Sequence, residues 1–463
     1  MIERPAPPVT NPAAILLGDV RADRAITSPF PPGELRFSLR RTNRFIHDPL
    51  AVLLEGYERY GPVFTLKILH HNVVFALGPQ ANHHMLVSNA QNFRWREGHF
   101  RDLIGLLGDG LLTTDGGYHR AHRRMMLPAF HRERIEAATA VMEQEIGTAL
   151  PALVPGAVID VSVWTRELAL RIAMRALFGI DPDRARAGGL DAAHEFEVAL
   201  DYHAQDFWMQ LLRGPGSPYD RLRRSRARLD TLILGEIDAR RSSGRRGEDI
   251  LSLLLDARDE DDDPLPRGQV RDEVMTLLFA GHDTTTSAVS FLFYELAQNR
   301  ALLDDPRISV EMLIDETLRK YPPAYIGPRR AVEDCEIAGV HVPGGAHVHY
   351  CSWASHHLPD VYPDPERFDP LRFSDAARAA LPKGAYVPFG GGSRTCIGMR
   401  FGLAEIALVA RRVLATRRLE LVPGYRLRIR HAPTISPRDG LPMTVRAAAP
   451  AAILRDVAQD AAA

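Results

Sequence analysis

The sequence predicts a mainly α-helical protein with small β-sheets. Three observations carry that prediction. Several long stretches repeat apolar residues at three- and four-residue steps, one uninterrupted helical pattern runs for about thirty residues, and strand-like runs are short and scattered. With 463 residues, 45 % hydrophobic and 25 % charged, the chain can bury a large core around a ligand.

The first forty or so residues are rich in proline and lack periodicity, so an extended lead-in is expected over 1–40. A hairpin follows, formed by "PVFTLKIL" and "NVVFALG" around "HHN". "RIEAATAVMEQEIGTALPALV", "VWTRELALRIAMRALFGI" and "YDRLRRSRARLDTLILGEIDARR" are amphipathic helices. The acidic run "DARDEDDDPLP" reads as a solvated loop. The long helix spans about 269–299, roughly 45 Å at 1.5 Å per residue. Short strands lie in "RRAVEDCEIAGVHVPGG" and "AHVHYCSWAS", and a last helix covers about 399–416. The tail, 449–463, is of low complexity, and no linker divides 41–448, which reads as a single domain.

Charge and cysteine usage narrow the function. Fifty-seven basic residues against 58 acidic ones give no support to nucleic-acid binding or a polybasic membrane contact. No apolar run reaches membrane length, so no membrane anchor is expected, and the sparse cysteines lead us to expect a reducing cytoplasm. Three cysteines, Cys335, Cys351 and Cys396, make no disulfide framework and no CxxC pair.

Cys396 stands in "FGGGSRTCIG", where a glycine-rich loop turns into the last helix. A helix N-terminus favours a thiolate, and Arg394 adds positive charge nearby. Gly390, Gly392 and Gly398 let the backbone approach something flat. A large planar anion with a central metal fits this combination, and haem held by a cysteine thiolate is such a group. A buried structural cysteine is the bland reading. The coincidence of six fixed positions, F-G-x-G-x-R-x-C-x-G, has a chance on the order of one in 10^5 and argues against it.

These residues resemble the haem-binding loop of the cytochrome P-450 family, the haem-thiolate monooxygenases, in their soluble bacterial form. The similarity extends over about 43–444. It implies the fold of that family, with haem b (iron protoporphyrin IX) between the long helix and the Cys-loop helix. Carried over, Cys396 is the iron ligand, Phe389 shields the sulfur, Gly398 lies beside it, and Arg394 meets a haem propionate. "ETLR" supplies the ExxR pair Glu316 and Arg319, one helical turn apart. "PERF" nominates Arg367 as the third member of a structural network. "AGHDTTTSA" resembles the oxygen-binding motif of the long helix, with Ala280 and Gly281 at the haem and Asp283 and Thr284 as the proton relay. Thr284 can bond back to the carbonyl one turn earlier. "YHRAHRRMMLPAF" nominates His119 and Arg123 as propionate partners and leaves His122 and Arg124 to the surface or core. "GPRRAVEDCEIAG" nominates Arg329, with Arg330 as the alternative.

The resemblance further implies O2 activation and hydroxylation or epoxidation of a hydrophobic small molecule: a secondary metabolite, terpenoid, steroid or fatty acid. A separate ferredoxin and ferredoxin reductase supply electrons, and the chain is a monomer. Substrate walls are expected from Trp95, Phe100, Leu103, Phe279, Tyr325, Ile326 and Ile435, although core packing explains such residues equally well. Arg120, Arg124, Arg400 and Arg411 are either a docking face or ordinary surface charge. A peroxygenase or isomerase is the nearest alternative, and the pair Asp283–Thr284 argues against it. A haem sensor is another; no signalling domain is visible. A histidine metal site at one of the "HH" pairs (70, 83 and 356) is disfavoured, because adjacent side chains on a strand or helix point apart.

Overall fold

The computed structural model describes residues 5, 12–98, 103–205, 207–258 and 262–447. The long helix, Arg267–Gln298, runs 32 residues and is buried on nearly every side. A helix apolar all round belongs in the middle of a large protein. Against it pack the helices Val161–Ile172, Pro218–Ser243, Val310–Lys320 and Met399–Thr416. The largest apolar cluster surrounds these helices and includes Phe196, Met275, Phe279, Val289 and Phe401.

A six-stranded sheet lies beside the helices. Its order is Gly33–Glu34, Val63–Ile68, His71–Ala76, His347–Cys351, Ile326–Ala331 and Phe93–Arg94. The hairpin Val63–Ile68/His71–Ala76 is antiparallel, and its second strand pairs in parallel with His347–Cys351, Val73 opposite His347. Alternation sends Val74, Val348 and Tyr350 into one apolar cluster and Val73, Phe75 and Cys351 into another. A three-stranded sheet (Arg417–Leu421, Pro442–Ala447, Val158–Asp160) and two small two-stranded ones complete the β structure. The tail, 449–463, lies outside the described residues.

The N-terminal lead-in differs from expectation. Pro12–Ala25 is a helix. The one buried side chain among its described residues is polar, so no apolar period announces it. Asp19 is buried, and Asp23 Oδ2 accepts the backbone N–H of Asn72 at 3.0 Å. The hairpin turn also differs: it falls on Leu69 and His70, with Leu69 at φ +51°, one residue ahead of "HHN".

Candidate active site

The cysteine loop is built by its own backbone. The Cys396 N–H donates to the Phe389 carbonyl at 2.9 Å, closing the turn. Gly390 and Gly392 sit at φ +68° and +58°, and a Cβ at Gly392 would come within 2.2 Å of the Leu86 carbonyl oxygen. Glycine there is demanded by the turn and by its seat on Leu86. Gly398 is different: its φ is −89° and a Cβ would meet only Phe130 at ordinary distance. It ends the loop where helix Met399–Thr416 begins.

Cys396 keeps accessible surface although protein crowds it, and that crowding raises its thiol. The Gly398 N–H and the Arg123 guanidinium pull the other way, toward thiolate. Arg123 therefore takes the part expected of Arg394. The free form is a thiol, which a coordinated metal would deprotonate. The other two cysteines sit elsewhere. Cys351 is fully buried, raised to about 12 by that burial, and caps the turn Ser352–Ser355. Cys335 lies on a two-stranded hairpin.

Four basic side chains gather near this loop. Arg394 donates to the Thr114 carbonyl and to Asp115 Oδ1, both at 2.6 Å. Burial lowers Arg394 to about 10, with Asp115 opposing and Arg123 adding to the drop. Arg329 is also buried and lowered to about 10, and its Nη2 has no hydrogen-bond partner. His119 is driven down to about 3, first by burial and then by Arg394 and Arg123. Asp115 also accepts the N–H groups of Trp95 and Arg96, at 3.1 and 2.7 Å. Buried cations with so little carboxylate around them fit an anionic ligand. A haem with two propionates and a thiolate-bound iron matches that donor set.

Trp95 departs from its expected place on a substrate wall. The Arg329 guanidinium lies 3.4 Å over its ring and that of Arg394 at 5.3 Å, so it stacks with the cationic cluster. Arg330, the alternative, is directed to the Gly345 carbonyl instead. His122 is a core residue, donating to Glu273 Oε1 at 2.6 Å. Arg120, Arg124 and Arg400 are exposed, whereas Arg411 is tied to Glu311.

On the central helix, Thr284 Oγ1 donates to the Ala280 carbonyl at 2.7 Å, the back-bond expected of it. Asp283 is buried and accepts the Thr434 hydroxyl at 2.5 Å. Arg430 is a second neighbour: burial lowers it, and Asp283 is the largest opposing charge. A Cβ on Gly281 would meet Ala173 and Leu177 at ordinary contact distance, so packing alone does not require glycine there.

The ExxR pair is completely buried. Arg319 clamps Glu316 with two bonds of 2.7 and 2.9 Å and donates to the carbonyls of His356 and Pro365. The third member is Arg372, not Arg367. Arg372 Nε lies 3.6 Å from Glu316 Oε1 and is 13 % exposed. Arg367 is 71 % exposed and reaches only Asp369, at 3.9 Å. The chain repeats a P-x-R-F pattern five residues later, at Pro370–Phe373, and that second copy faces the pair.

The expected substrate walls divide. Leu103 and Phe279 are buried in the large helical cluster. Tyr325 and Ile326 pack with the sheet, Tyr325 edge-on to Trp353 at 5.7 Å. Ile435 is fully buried among Phe64, Phe291 and Trp353 and has no surface to offer a ligand, which corrects its assignment. Phe100 lies outside the described residues.

Comparison with known proteins agrees with this geometry. A family profile described as Cytochrome P450 matches residues 29–305 and 309–436. The chain belongs to the cytochrome P450 family. As such it is a haem b monooxygenase with a cysteine thiolate as iron ligand. It is 35 % identical over 349 residues to cyclooctat-9-en-7-ol 5-monooxygenase of Streptomyces melanosporofaciens, covering 70 % of this chain and 75 % of that one. It is 29 % identical to putative cytochrome P450 120 of a Synechocystis strain, covering 89 % and 96 % of the two chains. The solved structure of retinoic acid-bound cyanobacterial CYP120A1 superposes with a TM-score of 0.81 at 27 % identity, over 91 % of this P450 and all of that chain. No helix among the described residues is long and apolar enough to cross a membrane.

Proposed function

We propose that this P450 hydroxylates or epoxidises a hydrophobic, terpenoid-like small molecule. It acts as a cytoplasmic monomer and takes electrons from a ferredoxin and ferredoxin reductase. The observation that carries this reading is the pair of buried Asp283 and half-buried Thr284, backed by Thr434. The substrate class is supported by a relative named for an alkenol and a structural neighbour solved with retinoic acid.

Cys396 is the residue assigned to the iron. Arg329, Arg394, Arg123 and His119 would hold the propionates, the first through its unpartnered Nη2. His119, lowered first by burial and then by Arg394 and Arg123, would serve there as a hydrogen-bond donor. Phe389 and Gly398 would border the sulfur, and Ala280 and Gly281 would line the haem from the central helix. Haem bound in this way supplies thiolate-ligated iron, whose electron push favours O–O cleavage.

The chain's own part is binding and proton supply. Thr284 spends its hydroxyl proton on the Ala280 carbonyl, which leaves its oxygen free to accept from a water molecule and hold it. Asp283, with Oδ2 occupied by Thr434, has Oδ1 left to carry a proton inward. Arg430 keeps a positive charge behind that carboxylate. Glu316, Arg319 and Arg372 fix the segment leading into the cysteine loop and do not react.

The test is a panel of terpenoid, steroid and fatty-acid candidates, read first by the spin-state shift of the ferric haem and then by turnover with labelled O2. Incorporation of one labelled oxygen with a ferredoxin system is expected. Turnover that runs on peroxide and never on an electron donor would replace the reading with a peroxygenase.

A further inference from the structure

The histidine pair at 70 and 71 does not point apart. His70 lies in the turn, outside the strand, and the left-handed Leu69 before it breaks the alternation that would separate the two rings. Their ring centroids are 3.9 Å apart. Asp19, from the N-terminal helix, reaches both: its Oδ2 is 3.5 Å from His70 Nε2 and 3.4 Å from His71 Nε2. Ligand atoms on a tetrahedral ion with bonds of about 2.0–2.1 Å stand about 3.4 Å from one another. Asp19, His70 and His71 each offer a ligand atom, all within 4.8 Å of one another, and so do Asp23, His71 and His347. Two carboxylates and three imidazoles thus meet where one helix touches the start of the sheet's two central strands.

We propose that Asp19, His70 and His71 bind one zinc-class dication, separate from the haem iron, and that this ion clips the N-terminal helix to the sheet. Imidazole ligands select a borderline transition metal over calcium or magnesium, which take oxygen donors. Asp19 and His71 are buried, and His70 is 23 % exposed, so the ion enters past His70 and a water completes its shell. Asp23 and His347, around the same His71, stand as its supporting neighbours. Asp23 is also held by the Asn72 N–H, which fixes the helix register over the site. Both carboxylates precede residue 29, where the family match begins, and the three imidazoles lie within the match.

Tag-free holoprotein, stripped with EDTA, is titrated with zinc chloride by calorimetry, and metal per chain is counted by mass spectrometry after gel filtration. One zinc per chain is expected beyond the haem iron, with zinc-edge X-ray absorption showing nitrogen and oxygen ligands. Asp19→Asn and His70→Gln should each weaken binding at least ~10-fold while the haem spectrum and helicity stay unchanged. His83→Gln, at another histidine pair, should leave affinity as it was. Should Asp19→Asn loosen the helix, the turn variant His70→Gln still decides the matter. No retained zinc, sulfur ligation, or affinity unchanged by both variants would overturn the proposal.

Discussion

Thr434 donates its hydroxyl to Asp283 Oδ2 at 2.5 Å, although 151 residues separate them. A hydrogen bond to a charged group contributes about 1.5–3 kcal/mol, enough to fix which carboxylate oxygen is left for proton transfer. Thr434→Val should therefore slow product formation by ~10-fold or more while haem content stays normal. Asp283→Asn should do worse, by ~10²-fold, in the range of positioned acid catalysis. Steady-state turnover with a ferredoxin system measures both. Equal rates for wild type and Thr434→Val would remove the contact from the relay.

Thr284→Ala removes the hydroxyl and leaves the backbone helix. Haem binding and folding should survive, but more of the consumed electrons should appear as hydrogen peroxide. The ratio of product to reduced nicotinamide consumed is the readout, and an unchanged ratio would exclude Thr284 from water positioning.

Cys396→Ser should abolish the thiolate-type carbonyl spectrum of the reduced protein. Cys335→Ser should leave that spectrum intact, since Cys335 lies on a peripheral hairpin. A wild-type spectrum in the first variant would mean that another residue ligates the iron.

Arg372 and Arg367 offer a matched comparison. Arg372→Ala takes a cation from a fully buried carboxylate and should cost about 1–3 kcal/mol and lower haem occupancy. Arg367→Ala touches an exposed side chain and should stay within about 0.5 kcal/mol of wild type. Denaturant melts and the haem-to-protein absorbance ratio give both numbers.

His356 predicts the acid side of the stability profile. Its Nδ1 donates to the Arg319 carbonyl at 3.1 Å, and its Nε2 accepts the Val387 N–H at 3.0 Å, a pattern only the neutral ring can make. Burial first, then Arg319, holds it down to about 3, against about 6.5 in the unfolded chain. The unfolded state therefore takes up the proton first. Its contribution is complete above pH 6.5 and shrinks by up to about 1.4 kcal/mol per pH unit as pH falls toward 3. Near pH 5 the loss from this residue is about 2 kcal/mol. Unfolding free energy measured from pH 7 to 5 should show that slope, and His356→Gln should flatten it by about one proton.

Much of this protein was legible before any coordinates. The long helix, the last helix and the hairpin have strong local patterns, and the predicted 399–416 coincides with the observed Met399–Thr416. The N-terminal helix was not legible, because polar contacts to the sheet, not an apolar stripe, dock it. Asp115 was missed for a similar reason: one aspartate before a Gly-Gly pair carries no signal, yet it joins Arg394 to the Trp95 segment. The choice between Arg367 and Arg372 could not be made from two near-identical motifs, since burial alone distinguishes them.

What the sequence by itself determined is the chemistry: a cysteine in a loop of fixed spacing, an acid–alcohol pair on a helix, and an ExxR pair one turn apart. Short-range covalent geometry sets those relations, so they can be read along the chain. Tertiary structure alone decided which distant groups complete them: Thr434 on Asp283, Arg372 on Glu316, Trp95 under two guanidiniums, and Asp19 against His70 and His71. Those partners are chosen by packing between segments 51 to 299 residues apart, and no local spacing encodes that.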